Sequence, residues 1–226
     1  MRVCFFDIDG TLVATGGAGQ KAFAAAFLEL FGIQQISCDI PFAGRSDRAI
    51  AADLFRVHNV AAGESTWQAF RKSYLQHLEA HLKVCVGTVL PGVEQLIGRL
   101  QQYPQVGVGL LTGNIAPGAA AKLTHYRLWH HFAYGGFGDE HHNRDDIARA
   151  ALVAASQHHR MQPDDKSRIA VIGDTVHDIR CARAIGAYAV AVPTGFTPID
   201  ELRAADPDLA VETLEDCHQL VEWLTA

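Results

Sequence analysis

Four apolar residues, Val3-Cys4-Phe5-Phe6, run directly into Asp7-Ile8-Asp9-Gly10-Thr11-Leu12. A continuous apolar run of this kind reads as a strand buried on both faces, as at the centre of a parallel sheet. Carboxylates at the end of such a strand are costly to bury unless a cation or hydrogen bonds compensate them. Open parallel sheets bind ligands just past the carboxyl ends of their strands. This stretch therefore predicts an α/β fold and a charged site together, and the rest of the chain has to supply what balances the two acids.

The 226 residues suffice for one full core and a smaller unit beside it. Hydrophobic residues make up 49% and charged ones 19%, which excludes a disordered chain. A net charge of −6 gives no electrostatic reason to expect a nucleic-acid partner. Cys4, Cys38, Cys85, Cys181 and Cys217 are scattered and odd in number, with no CxxC, as expected of reduced thiols in a cytosolic compartment. No apolar run approaches the roughly eighteen residues a membrane span needs. The first residues enter a strand with no basic segment or cleavage pattern before it. The expectation is a cytoplasmic protein with no membrane partner; oligomeric state is not legible.

After Leu12 the pattern turns helical. Gly16, Gly17 and Gly19 form a loop, and Phe23, Phe27, Leu30 and Phe31 recur at helical spacing until Gly32 stops the run. Ser46 is a good N-cap for a helix carrying Ile50, Leu54 and Val57. A third helix carries Trp67, Phe70, Tyr74, Leu78 and Leu82, and its aromatics read as core. Nothing from Gly16 to about Lys83 reads as a strand. Helix and strand then alternate: a helix from Pro91-Gly92, a strand over 106–111, a helix over about 117–128 and a short stretch around 132–137. A helix over about 144–159, a strand over 169–172, a helix over 179–185, a strand over 188–192 and a helix over 214–224 complete the chain. Such alternation implies βαβ units. The predicted architecture is a doubly wound, Rossmann-like parallel sheet from residues 1–15 and 86–226, with a helical cap inserted over 16–85.

Three of the predicted strands end in polar groups of complementary use: Asp7/Asp9, Thr112, and Asp174/Asp178. In a doubly wound sheet neighbouring strand ends lie side by side, so these groups can converge. Four carboxylates in one place repel unless a divalent cation binds, and oxygen-only ligands suit Mg²⁺. A single such Asp is as easily an N-cap or turn residue; three strand ends at once are not explained that way. The twelve histidines lack a recognised ligand spacing, so zinc is not expected.

The segments Asp7-Ile8-Asp9-Gly10-Thr11-Leu12, Leu111-Thr112-Gly113-Asn114 and Gly173-Asp174-Thr175-Val176-His177-Asp178 resemble, in order and placement, three motifs of the haloacid dehalogenase superfamily. The chain most resembles the phosphoglycolate-phosphatase-like branch, and its helical insertion lies where that family places a cap. The resemblance implies Asp7 as a nucleophile forming an aspartyl-phosphate and Asp9 as the acid and base that moves protons. It implies Mg²⁺ on Asp7, the main-chain carbonyl of Asp9 and Asp174, with Asp178 holding a metal-bound water or the site's basic residue. It implies Thr112, with Gly113, Asn114 and nearby backbone N–H groups, on the phosphoryl oxygens. The substrate would be a small phosphorylated metabolite.

One motif departs from the family's pattern. The usual lysine before the Gly-Asp strand is missing from Gly138-Asp139-Glu140-His141-His142-Asn143-Arg144-Asp145-Asp146, and Arg144 is the candidate to replace it. Lys166 is the rival, in a turn at the wrong end of the following strand. Arg45, in the cap's most charged turn, either reaches an anionic substrate tail or is a plain loop residue before a capped helix. Asp9 favours phosphate esters over haloacids, because a dehalogenase of this pattern has no carboxylate there. The alternatives are a phosphosugar mutase of the β-phosphoglucomutase type and, from another class, a non-catalytic binding or regulatory protein on the same fold.

Overall fold

A computed structural model describes residues 1–160, 162–164, 167–195 and 197–226. Arg2–Phe6 forms β1, in which Val3 through Phe6 are completely shielded from solvent. Val13–Ala14 (β2) follows, and then come three helices, Ala18–Phe31 (α1), Asp47–Val57 (α2) and Glu64–Val84 (α3), before Thr88–Val89 (β3). The chain continues through Val93–Gln101 (α4), Val106–Leu111 (β4), Ala116–His125 (α5), Gly135–Gly136 (β5) and Arg144–His159 (α6). It closes with Arg168–Gly173 (β6), Val176–Ala184 (α7), Tyr188–Ala191 (β7), Ile199–Ala204 (α8), Leu209–Ala210 (β8) and His218–Thr225 (α9).

Six strands form one parallel sheet in the order β5-β4-β1-β6-β7-β8. Successive side chains point to opposite faces of a strand. Cys4 and Phe6 accordingly join the core under α4 and α9, while Val3 and Phe5 join the core under α6 and α7. β1 pairs with β4 and β6 in a shared register, with Phe6 opposite both Leu110 and Ile172. That register brings the first residues beyond all three strands to one edge, which is what gathers the polar strand ends.

The helical insertion has its own apolar cluster. Phe23 and Phe27 of α1 meet Phe70 of α3 edge-on at 4.9 and 5.3 Å between ring centroids. Gly32 ends α1 in the left-handed conformation, and the Ser46 hydroxyl caps α2 by accepting the Ala49 N–H at 3.2 Å, both as the residue types predict. Asp47 ties the cap to the core through backbone and side chain: its N–H donates to the Gly113 carbonyl at 2.8 Å, and its Oδ2 accepts the Ile115 N–H at 2.9 Å. Gly113 has no alternative here, because a Cβ would sit 2.0 Å from the Arg45 carbonyl oxygen.

Several elements differ from the sequence expectation. The antiparallel pair β2–β3 closes the neck of the insertion, yet two residues a side are too short to carry a periodic signal. The stretch around 132–137 contributes only Gly135 and Gly136 to the sheet, because Phe132 and Phe137 turn into the core instead. The last helix is broken into a single turn over Leu214–Asp216 and α9, with Thr213 capping the turn. Edge elements α8 and β8 were not expected. Among the described residues no helix is long and apolar enough to cross a membrane. Lys166 lies outside the described residues.

Candidate active site

Asp7 is the first residue beyond β1, with its N–H tied to the Ile172 carbonyl at 3.0 Å and its side chain buried. Behind it the chain turns tightly over Ile8, whose carbonyl accepts the N–H of Leu12 at 2.9 Å, and Gly10 supplies the positive φ the turn needs. Asp174 comes from the end of β6 and Asp178 from the first turn of α7. Carboxylate oxygens of Asp7, Asp174 and Asp178 all lie within 4.8 Å of one another, the only such metal-capable group among the described residues. Burial first, and then the neighbouring carboxylates, push the pKa values of Asp7 and Asp174 well above the ordinary range. Arg144 acts in the opposite direction on Asp7.

The three acids are not equivalent. Asp178 has both oxygens engaged, Oδ1 by Arg144 and Oδ2 by the Thr175 N–H and hydroxyl at 3.0 and 2.6 Å. Asp174 accepts the Thr11 hydroxyl, at 3.2 Å, and no other side chain among the described residues. Glycines crowd Asp174 on two sides: a Cβ on Gly195 would lie 1.7 Å from its Oδ2, and one on Gly10 would lie 2.4 Å away. Buried oxygen-only donors with unbalanced charge fit a hard divalent cation such as Mg²⁺. Asp7 and Asp174 are the two with capacity left to bind it.

Arg144 opens α6 and is itself buried. It pairs with Asp178 and stands 3.6 Å from Asp7 Oδ1. Burial disfavours its charge, but Asp178 and Asp7 outweigh that and hold its pKa above the ordinary arginine value. Among the described residues its Nε is a buried donor with no geometric hydrogen-bond partner. The sequence candidate for the missing lysine thus lies beside Asp7 and Asp178.

At the end of β4 the Thr112 hydroxyl oxygen accepts the Asn114 backbone N–H at 3.3 Å and its side-chain amide at 2.8 Å. Both bonds use the oxygen's lone pairs, so the hydroxyl hydrogen is left to donate elsewhere. Asn114 also donates to Asp9 Oδ2 at 2.9 Å.

Sequence reasoning missed Lys122. From α5 its Nζ donates to Asp9 Oδ2 and Asn114 Oδ1, both at 2.6 Å, and its side chain is 4% exposed while that of Asp9 is 43% exposed. A signal for it exists: Ile115, Gly118, Ala119, Lys122 and Leu123 form the buried stripe of the helix, and a lysine on such a stripe needs a partner. Arg45, by contrast, lines the cavity but pairs with Asp53 at 2.6 Å inside the cap.

The sequence profile of the haloacid dehalogenase-like hydrolases matches residues 4–183. The chain belongs to that family and is a phosphatase-type hydrolase within it. It is 30% identical to a phosphoglycolate phosphatase of Synechococcus elongatus, covering 99% of both chains. It is 28% identical to a protein of Dickeya dadantii named probable phosphatase IndB, over 93% of this chain and 89% of that one. The fold is shared with CbbY of Rhodobacter sphaeroides, solved in complex with phosphate, at a TM-score of 0.75 and 17% identity over 96% of this chain and 97% of that one.

Proposed function

We propose that the chain is a Mg²⁺-dependent phosphatase that hydrolyses small phosphate monoesters through an aspartyl-phosphate on Asp7. The observation that carries this reading is the separation of the two acids. Asp7 is buried against Arg144, while Asp9 is held on Oδ2 by Lys122 and Asn114 and opens to the cavity. Residues 16–85 act as the cap over that cavity.

Asp7 attacks phosphorus, and the bond from phosphorus to the ester oxygen breaks. Asp9 gives its proton to the departing alkoxide; its Oδ1 has no hydrogen bond among the described residues and is available for the transfer. Water then attacks the phosphoryl group, Asp9 takes its proton, the bond to Asp7 breaks, and inorganic phosphate leaves. The Thr112 hydroxyl and the Arg144 guanidinium orient the phosphoryl oxygens and stabilise the charge that collects on them, the main requirement in phosphoryl transfer. Mg²⁺ on Asp7, the Asp9 carbonyl and Asp174 would add positive charge against the same oxygens. The pairing of Arg45 with Asp53 supports hydrolysis over a mutase, which needs a free cap cation for a second phosphate.

The test is release of inorganic phosphate from an aryl phosphate with and without Mg²⁺. Asp7→Asn is expected to abolish it, and an unchanged rate would remove Asp7 as the nucleophile. Isomerised sugar instead of phosphate, from a sugar monophosphate with a bisphosphate primer, would select the mutase.

A further inference from the structure

The cavity that opens from Asp7 and Asp9 beneath the cap has a volume of about 520 Å³. A two-carbon ester such as phosphoglycolate has nine heavy atoms, and at roughly the 30 Å³ a water occupies for each, it fills about half of that space. The remainder is walled by the cap. Phe23 and Phe42 meet edge-on at 5.2 Å, Phe23 and Tyr74 at 4.7 Å, and Ile50 lines the same space. Interlocked rings of this kind form a stiff apolar surface.

The cations that line the cavity are already committed. Arg45 is on Asp53, Lys122 on Asp9, and Arg144 on Asp178 and Asp7. Asp47, buried in the wall, offers a carboxyl group there and no cation. A carboxylate on the leaving group would find no unpaired cation among the residues that line this cavity and would lose its hydration on entry. Tyr74 supplies a polar contact of another kind. It lines the cavity at 1% exposure and its hydroxyl has no hydrogen-bond partner among the described residues. Burial, with Asp47 and Asp9 nearby, holds the phenol pKa well above its ordinary value, so the group remains a donor.

Resting on the phosphatase reading above, we infer that the preferred substrate is a phosphate monoester of an uncharged alcohol with an apolar face of about the size of an aromatic ring and an acceptor oxygen for Tyr74. The cap selects against small anionic leaving groups.

The experiment compares kcat/KM for phosphoglycolate, benzyl phosphate and 2-phenoxyethyl phosphate with Mg²⁺ present. All three leave as alkoxides of alcohols, so leaving-group chemistry does not favour the aromatic pair. The uncharged esters are expected to exceed phosphoglycolate at least tenfold, mainly through KM. Phe42→Arg is expected to reverse the order by supplying a cation. Tyr74→Phe is expected to lower kcat/KM five- to tenfold more for the phenoxyethyl ester than for benzyl phosphate. Preference for phosphoglycolate in the unmodified enzyme, which needs no variant to fold, overturns the inference and leaves the phosphatase reading standing. Absence of phosphate release from all three esters and from acetyl phosphate overturns both.

Discussion

Lys122 donates to Asp9 at 2.6 Å across 113 residues of sequence, from a position almost closed to solvent. It fixes one carboxylate oxygen of the proposed proton donor and leaves the other facing the substrate space. A general acid matters most when the leaving group is poor, and positioned proton transfer is worth about 10²–10⁴-fold. Lys122→Met is therefore expected to lower kcat by about 100-fold on an alkyl phosphate and far less on a nitrophenyl phosphate. Equal losses on both esters would mean that Lys122 serves the phosphoryl group instead of Asp9.

Arg144 balances two buried acids, so its removal should be felt by stability and activity together. Breaking a buried ion pair by deleting one partner typically costs about 3–5 kcal/mol. Arg144→Ala should lower the urea midpoint accordingly and remove activity, while Arg144→Lys should recover part of both. A variant that loses neither would move the phosphate-binding role elsewhere.

Asp7 should show opposite effects on function and stability. Burial raises its pKa, so near neutral pH its ionised form opposes folding when no metal is bound. In chelator, Asp7→Asn is expected to unfold at higher urea than the parent, although it has no turnover. With Mg²⁺ the parent should gain about 1.4 kcal/mol for each tenfold rise in metal above its Kd, and the variant much less. Equal stabilisation of both proteins by Mg²⁺ would remove Asp7 from the metal site.

Asp47 ties the cap to the Ile115 N–H, and burial pushes its pKa to about 7, only partly offset by Lys122. The folded state thus binds this proton more tightly than the unfolded chain does. Its contribution is fully present below the unfolded value near 4 and falls as pH rises to about 7, levelling off above that. At about 1.4 kcal/mol per unit, the fall amounts to about 4 kcal/mol at most. Asp47→Asn keeps an acceptor for Ile115 and should flatten the dependence of the urea midpoint on pH between 4 and 7. An unchanged slope would assign that dependence to other groups.

The sequence by itself determined the parts of this protein that depend on local pattern. The apolar run Val3–Phe6 specified a central strand, Gly32 and Ser46 marked helix ends, and the polar residues after Phe6, Leu111 and Gly173 marked one edge of a parallel sheet as the site. Arg144 was a candidate only through the missing family lysine, with a solvated helix residue as the alternative; the structure buries it beside Asp7 and Asp178. Tertiary structure alone decided which charges meet. Lys122 reaches Asp9 because β1 and β4 pair in register and α5 leaves β4 at the same edge. Arg45 pairs with Asp53 within the cap while still lining the cavity. Phe23 and Tyr74, which read only as core, wall a cavity together with Phe42. Alternation and capping act over a few residues and can be read along the chain. The partner of a buried charge is set by distance in space, and that exists only once the sheet has fixed its register and the cap has docked.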